Sequence, residues 1–288
     1  MKRLLVLGIS ALTLLLSGCV GFYFPFPFLT TTAQTTAPVT ANGTITFVDE
    51  DAYAYPYYSS PNYHLNNVDA YNDVLIATRD HIRRSNVQVR STVYRVGQIF
   101  PGITQTMVEA TSSGSGIVFL ERDGYYYFLT NHHVIDDLGF TAEYEIIAFG
   151  DDQSHPAELV CQDADLDLAV LRFEKGSHTE VELIDWQTRL FTRMTPGELV
   201  LAVGNPLSVD NNVTFGEFNS FETIDNAFFK VLYHSATIHE GSSGGALVDF
   251  DGHLLGVNAW GSEDSDEESF AIPVYVVYVF LYNNGLAD

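Results

Sequence analysis

The chain has 288 residues, with 13 Lys and Arg against 37 Asp and Glu and a formal charge of −24. Hydrophobic residues at 46% and aromatics at 13% exclude a wholly disordered chain, and the length suffices for one large domain or two small ones. The acidic balance argues against phosphate backbones and anionic headgroups, so no nucleic-acid partner is expected. Two cysteines exclude a disulfide scaffold and a multi-cysteine zinc site.

Lys2 and Arg3 precede the leucine-rich run Leu4–Leu16, which Ser17, Gly18 and Cys19 follow. A basic start, an apolar stretch and small residues at its end predict an export signal over 1–18. The run is shorter than the roughly 20 residues that a spanning helix needs. Leu16-Ser17-Gly18-Cys19 resembles the lipobox of bacterial lipoproteins, which implies cleavage before Cys19 and a lipid on its thiol. The expected mature chain is exported, membrane-anchored and carries −26 once Lys2 and Arg3 are removed. Cys161 is then its sole free thiol.

Residues 20–78 contain no Lys or Arg and hold Phe22-Tyr23-Phe24-Pro25-Phe26-Pro27-Phe28, a Thr/Ala run and Tyr53-Ala54-Tyr55-Pro56-Tyr57-Tyr58. Proline interrupts helix and ladder alike, so 19–70 reads as a tether, part of which could pack on the domain that follows. A short helix is predicted over Tyr71–Arg84, where Tyr71, Leu75, Thr78 and Ile82 share one face. Strand-like runs follow at 88–96, 104–110, 115–120, 125–130, 143–149, 168–173, 198–203, 228–235 and 253–260. Turn pairs such as Asp123-Gly124 and Asp251-Gly252 separate some of them, which predicts an all-β sandwich or barrel. Val274–Tyr282 is strand-like by propensity alone.

Three stretches carry chemistry: Leu129-Thr130-Asn131-His132-His133-Val134, then Asp163-Ala164-Asp165-Leu166-Asp167-Leu168, then Gly241-Ser242-Ser243-Gly244-Gly245. A serine hydroxyl needs a base to take its proton, and histidine has the pKa for that task. A carboxylate can hold the imidazole, and glycines beside a serine let backbone N–H groups aim at an oxyanion. His, Asp and Ser in this order suggest nucleophilic hydrolysis. The order leaves open which histidine, which aspartate and which serine act. No His-Glu-x-x-His or comparable spacing supports a metal-dependent hydrolase.

These stretches resemble trypsin-like serine proteases of the Deg/HtrA type. Gly114-Ser115-Gly116-Ile117-Val118, Asp167-Leu168-Ala169-Val170-Leu171, Ala202-Val203-Gly204-Asn205-Pro206 and Ser269-Phe270-Ala271-Ile272-Pro273 add to the likeness, which covers roughly 85–285. The resemblance implies a protease domain over 71–288, built as two six-stranded antiparallel β-barrels of the chymotrypsin type. The tail from Val274 would be a closing helix. It implies His133 as base, Asp167 as its partner, Ser243 as nucleophile, and Gly241 and Ser243 N–H groups as oxyanion hole. Thr237 would floor the specificity pocket, with Trp260 and Gly261 along its wall. An uncharged floor implies small or medium apolar side chains rather than Lys or Arg.

The resemblance further implies polypeptide substrates, exported or envelope proteins among them, with no cofactor and no metal. A catalytically silent protease fold that binds envelope proteins is the alternative. The chain stops soon after the closing helix, so no PDZ domain is expected. Ser242 stands where digestive trypsins place an aspartate for a freed N-terminus, so activation by N-terminal insertion is not expected either. The acidic run Glu263-Asp264-Ser265-Asp266-Glu267-Glu268 follows the pocket wall and could favour basic flanking residues in a substrate.

Overall fold

The computed structural model describes residues 55–62, 67–101, 103–205, 212–224, 227–261 and 268–288. The signal, Cys19, the tether up to residue 54, Pro206 and the acidic run up to Glu267 lie outside the described residues. Two closed antiparallel barrels make up the fold. The first contains β1 (Asn86–Phe100), β2 (Ile103–Arg122), β3 (Tyr125–Thr130), β4 (Thr141–Ile147), β5 (His155–Asp163) and β6 (Leu168–Glu174) in the order β1-β2-β3-β6-β5-β4. The second contains β7 (Leu199–Gly204), β8 (Asn212–Glu222), β9 (Val231–His234), β10 (Ala246–Asp249), β11 (Leu254–Gly261) and β12 (Ser269–Pro273) in the order β7-β8-β9-β12-β11-β10. The two circuits have the same topology, and the two six-stranded barrels match the fold expected from the resemblance.

Strand side chains alternate, which allows one strand to serve two cores. On β6, Ala169, Leu171 and Phe173 enter the first barrel, while Leu168 and Val170 face outward. On β7, Val200 and Ala202 enter the second barrel, while Leu201 and Val203 join the same outer cluster. The outer faces of both barrels thus form one apolar seam, with Ile117 and Leu129 from one side and Val248 and Val257 from the other. Both faces of such strands are buried, so continuous apolar runs replace alternation. Removing a fully buried leucine such as Leu129 by Ala is expected to cost about 2–5 kcal/mol.

Helix α1 (Val68–Ser85) begins at Asn67, whose side chain accepts the N–H of Asp69. Its predicted stripe packs on the second barrel: Tyr71 stacks on Phe250, Thr78 Oγ1 donates to the Phe250 carbonyl, and Ile82 is fully buried. The tail forms helix α3 (Val274–Asn283) as expected, overriding β propensity. Gly285, at φ +69°, ends it: Gly285 N–H donates to Tyr282 O and Leu286 N–H to Leu281 O. Val276, Val277, Phe280 and Leu286 seal the seam between the barrels. Among the described residues no helix is long and apolar enough to cross a membrane.

The last described part of the segment read as a tether lies on the second barrel. Tyr58 N–H donates to Arg193 O, Arg193 N–H to Pro56 O, and the Tyr58 hydroxyl to Asp251. The Tyr58 ring also lies 4.2 Å from the Arg189 guanidinium carbon. That guanidinium is buried between Glu198 and Asp249, at 2.6 and 2.7 Å.

Candidate active site

Each barrel presents part of the site at their junction. Strand β3 runs through Thr130 into the short helix α2 (His132–Ile135), which carries both histidines. Val134 and Ile135 anchor that helix in the first barrel's core, so His133 is carried beside buried apolar residues. Asp167 ends a turn whose shape comes from Asp163, since Asp163 Oδ1 accepts the N–H groups of Asp165 and Leu166. At φ +52°, Asp167 occupies the left-handed region, a conformation that aspartate tolerates better than bulkier residues. Asn131 steadies the turn by donating to the Asp167 carbonyl.

Asp167 grips His133 at two points. Its Oδ1 accepts the His133 N–H at 2.9 Å, and its Oδ2 lies 2.8 Å from His133 Nδ1. Burial pulls the imidazolium down, but the charge and hydrogen bond of Asp167 outweigh it, leaving the His133 pKa above the ordinary 6.5. Among the described residues neither His132 nor Asp165 takes part in such a pair, and Asp163 serves the turn.

Ser243 sits in a tight loop before β10. Ser242 N–H donates to His239 O, and the Ser242 hydroxyl accepts the His239 N–H, so Ser242 braces the loop. Gly244 has φ +86°, and a Cβ there would lie 2.1 Å from Ser115 O and 2.4 Å from Thr130 Oγ1. At Gly245 a Cβ would meet Val203 O at 2.0 Å. The two glycines therefore let the loop press against both barrels. Among the described residues the Gly241 and Ser243 N–H groups donate to no acceptor. The buried Ser243 hydroxyl donates to Ala259 O at 3.3 Å rather than to His133.

Two polar residues outside the three chemical stretches hold the nucleophile loop, Ser115 from the first barrel and Asn258 from within the second. Ser115, on β2, donates its N–H to Ser243 O at 2.7 Å and its hydroxyl to Gly241 O at 2.8 Å. Its hydroxyl also accepts the Asn205 N–H. Asn258, fully buried on β11, accepts the Gly244 N–H, donates its own N–H to Gly245 O, and caps Ala246 O with its side chain. The available signals were a serine between two glycines and an asparagine inside an apolar strand.

The predicted pocket residues lie near one another. Thr237 O accepts the Thr214 hydroxyl, and a Cβ on Gly261 would stand 3.5 Å from the carbonyl of neighbouring Ile238. Trp260 pairs with Phe270 on β12.

The trypsin-like peptidase domain model matches residues 114–257. A Do-like HtrA serine protease of Bacillus subtilis is 32% identical over 174 residues, covering 57% of this chain and 37% of that protein. A probable periplasmic Do/HhoA-like serine protease of Haemophilus influenzae is 30% identical over 169 residues, covering 57% and 34%. The chain thus spans little more than a third of the length of these relatives. A serine endoprotease structure from Yersinia pestis aligns with TM-score 0.54 and 27% identity over 74% of this chain and 66% of that one.

Proposed function

This chain belongs to the trypsin-like peptidase family, and on that premise we propose that it is a serine endopeptidase with Ser243 as nucleophile, His133 as general base and Asp167 as its orienting partner. The two-point contact of Asp167 with His133 carries the reading. With Nδ1–H held by Asp167, Nε2 is the ring nitrogen left to take a proton.

The Ser243 hydroxyl turns from Ala259 O, gives its proton to His133 Nε2, and its oxygen attacks the peptide carbonyl carbon. Giving up that one hydrogen bond costs about 1 kcal/mol, small against the barrier being lowered. The oxyanion is met by the N–H groups of Gly241 and Ser243, which spend no hydrogen bond elsewhere among the described residues. His133 then returns the proton to the departing amine, leaving an acyl group on Ser243. Water, deprotonated by His133, releases the acid and restores the serine.

The substrates are polypeptides, with exported or envelope proteins as targets and small or medium apolar side chains in a pocket formed by Thr237, Trp260 and Gly261. Cys19 tethers the enzyme to a bacterial membrane through a lipid. The Leu16-Ser17-Gly18-Cys19 motif supports this, as does the periplasmic description of one relative.

A fluorophosphonate probe on purified protein should label Ser243, located by mass spectrometry. Ser243→Ala should lose both labelling and casein cleavage, while Ser242→Ala retains most of each. Absent labelling with no cleavage would instead mark a silent fold. Cys19→Ala should shift the protein out of the membrane fraction, and unchanged fractionation would count against the anchor.

A further inference from the structure

Among the described residues, two clusters of three acidic and histidine donors lie outside the candidate active site, and they differ in one respect. In the first, Asp249, Asp251 and His253 lie within reach of one ion. Their oxygens are already engaged. Asp249 Oδ2 accepts Arg189 Nη1 and faces His253 Nδ1, while its Oδ1 accepts the N–H groups of Asp251 and His253. Asp251 accepts the Tyr58 hydroxyl and the Asn62 amide. A guanidinium occupies the place a metal would take.

The second cluster is open. Asp151 lies in the turn between β4 and β5, His155 begins β5, and His178 lies just past the exit of β6. One donor atom of each falls within 4.8 Å of the others. Asp151 Oδ2 is 2.7 Å from His178 Nδ1 and 3.3 Å from His155 Nε2. Yet this oxygen is buried and accepts no hydrogen bond, so neither ring aligns an N–H with it. Asp151 Oδ2 and one ring nitrogen from each histidine thus face a single small space with no hydrogen bond joining them. The geometry is held from outside: the two imidazoles meet edge to face at 4.5 Å, and the His178 ring rests edge-on against Phe173. The His178 side chain is only 7% exposed. Backbone bonds from Asp151 N–H to Ala148 O and from His178 N–H to Lys175 O fix both turns.

We propose that Asp151, His155 and His178 form a binding site for a divalent transition-metal ion of the zinc class. Two imidazoles and one carboxylate suit zinc better than calcium or magnesium, which take oxygen ligands. A tetrahedron with metal–ligand bonds of about 2.0–2.1 Å has edges of roughly 3.4 Å. The His155–Asp151 separation already matches, and the His178–Asp151 separation must open by roughly 0.7 Å. Water or another small ligand completes the shell. Asp167 precedes β6 and His178 follows its far end, so roughly 20 Å of strand separates the site from the catalytic residues. The ion therefore clamps the β4–β5 turn to the β6 exit and takes no part in peptide hydrolysis. This inference is independent of the proposed peptidase activity.

Calorimetric titration of the metal-free full-length protein with zinc chloride should show one tight equivalent, a raised Tm, and no comparable binding of calcium or magnesium. Cobalt in the same protein should give the visible absorption of a tetrahedral site. His155→Ala and His178→Ala should each weaken zinc binding at least tenfold, on the order of or beyond what loss of a supporting contact costs. His253→Ala should leave the stoichiometry unchanged. Equal zinc binding in the parent and the His155→Ala/His178→Ala double variant would overturn the proposal, as would no tight binding at all. Should those variants misfold, histidine-directed modification of the unmutated protein decides the matter. Zinc should protect the partly exposed His155, and unchanged labelling rejects the site.

Discussion

The two barrels share one strand order but do different work. The first barrel presents His133 and Asp167 on a short helix and a turn beside its strands, and the second presents the Ser243 loop and the residues proposed for the pocket. Their histidines mark the contrast. His133 lies next to a carboxylate that favours its cation, whereas His234 is fully buried in the second barrel. Neither His234 ring nitrogen has a side-chain partner among the described residues that would pay for a charge. Burial pushes its pKa down to about 3, outweighing the upward pull of the Ala236 backbone. The same residue type is the proposed base in one barrel and a buried side chain held neutral in the other, and Asp167 makes the difference at His133.

The sharpest way to break this division is to remove each barrel's contribution in turn. His133→Ala is expected to lower kcat by about four orders of magnitude, with His132→Ala within a few-fold of the parent, as read from peptide hydrolysis. Comparable losses in the two variants would dissolve the distinction between the histidines. Next in size is the contact between barrels. Gly244→Ala forces a Cβ to within 2.1 Å of Ser115 O at a positive φ. It should cost several kcal/mol, on the order of the larger single-residue effects. Gly124→Ala, also at positive φ but with open space around it, should cost about 1 kcal/mol, both variants being compared with the parent by denaturant titration.

Ser115→Ala removes the hydroxyl that serves both Gly241 O and the Asn205 N–H. A loss of about 2 kcal/mol is expected, together with a fall in kcat larger than any change in KM. A normal kcat would show that Ser115 braces the fold without shaping the nucleophile loop.

Acid separates the two histidines. The unfolded chain takes up a proton at His234 below pH 6.5 while the folded chain refuses it until about pH 3, so stability falls as pH drops through that window. The contribution at pH 5 is about 2 kcal/mol, at 1.36 kcal/mol per unit. Replacing His234 by an uncharged residue should flatten the stability profile there. His133 titrates in the opposite sense, with its folded pKa raised. It must be neutral to act, so kcat/KM should fall with a midpoint above pH 6.5, before the second barrel weakens appreciably. The smallest effect belongs to the acidic run Glu263–Glu268. Neutralising it should change the preference for basic flanking residues a few-fold at low salt and less at physiological salt, where the Debye length is about 8 Å.

The α1 stripe, most of the strands and the three chemical stretches were legible because each rests on local pattern. Residues alternate or recur on one face, and the Ser-Gly-Gly and His-Val contexts are short in sequence. Strands β5, β8, β10 and β12 were not among the expected runs. β5 opens His-Pro and is mostly exposed, β8 is polar and broken by Gly216, β10 has four residues, and β12 ends in Pro273. They become strands because barrel closure supplies their ladder partners. Conversely, 104–110 and 115–120 are one strand, β2, since pairing with β1 carries the ladder through Thr111–Gly114. The residues alone, like the ordered motifs, left His132 or His133 and Asp163, Asp165 or Asp167 open. Only the family resemblance chose between them, and only the folded chain puts Asp167 on His133. The roles of Ser115 and Asn258, and the meeting of Asp151, His155 and His178, lay wholly in tertiary structure. Each needs at least one residue from a distant part of the chain, brought alongside by strands that pair within a closed barrel. Local pattern encodes which face a residue takes, and only barrel closure decides which residue it meets.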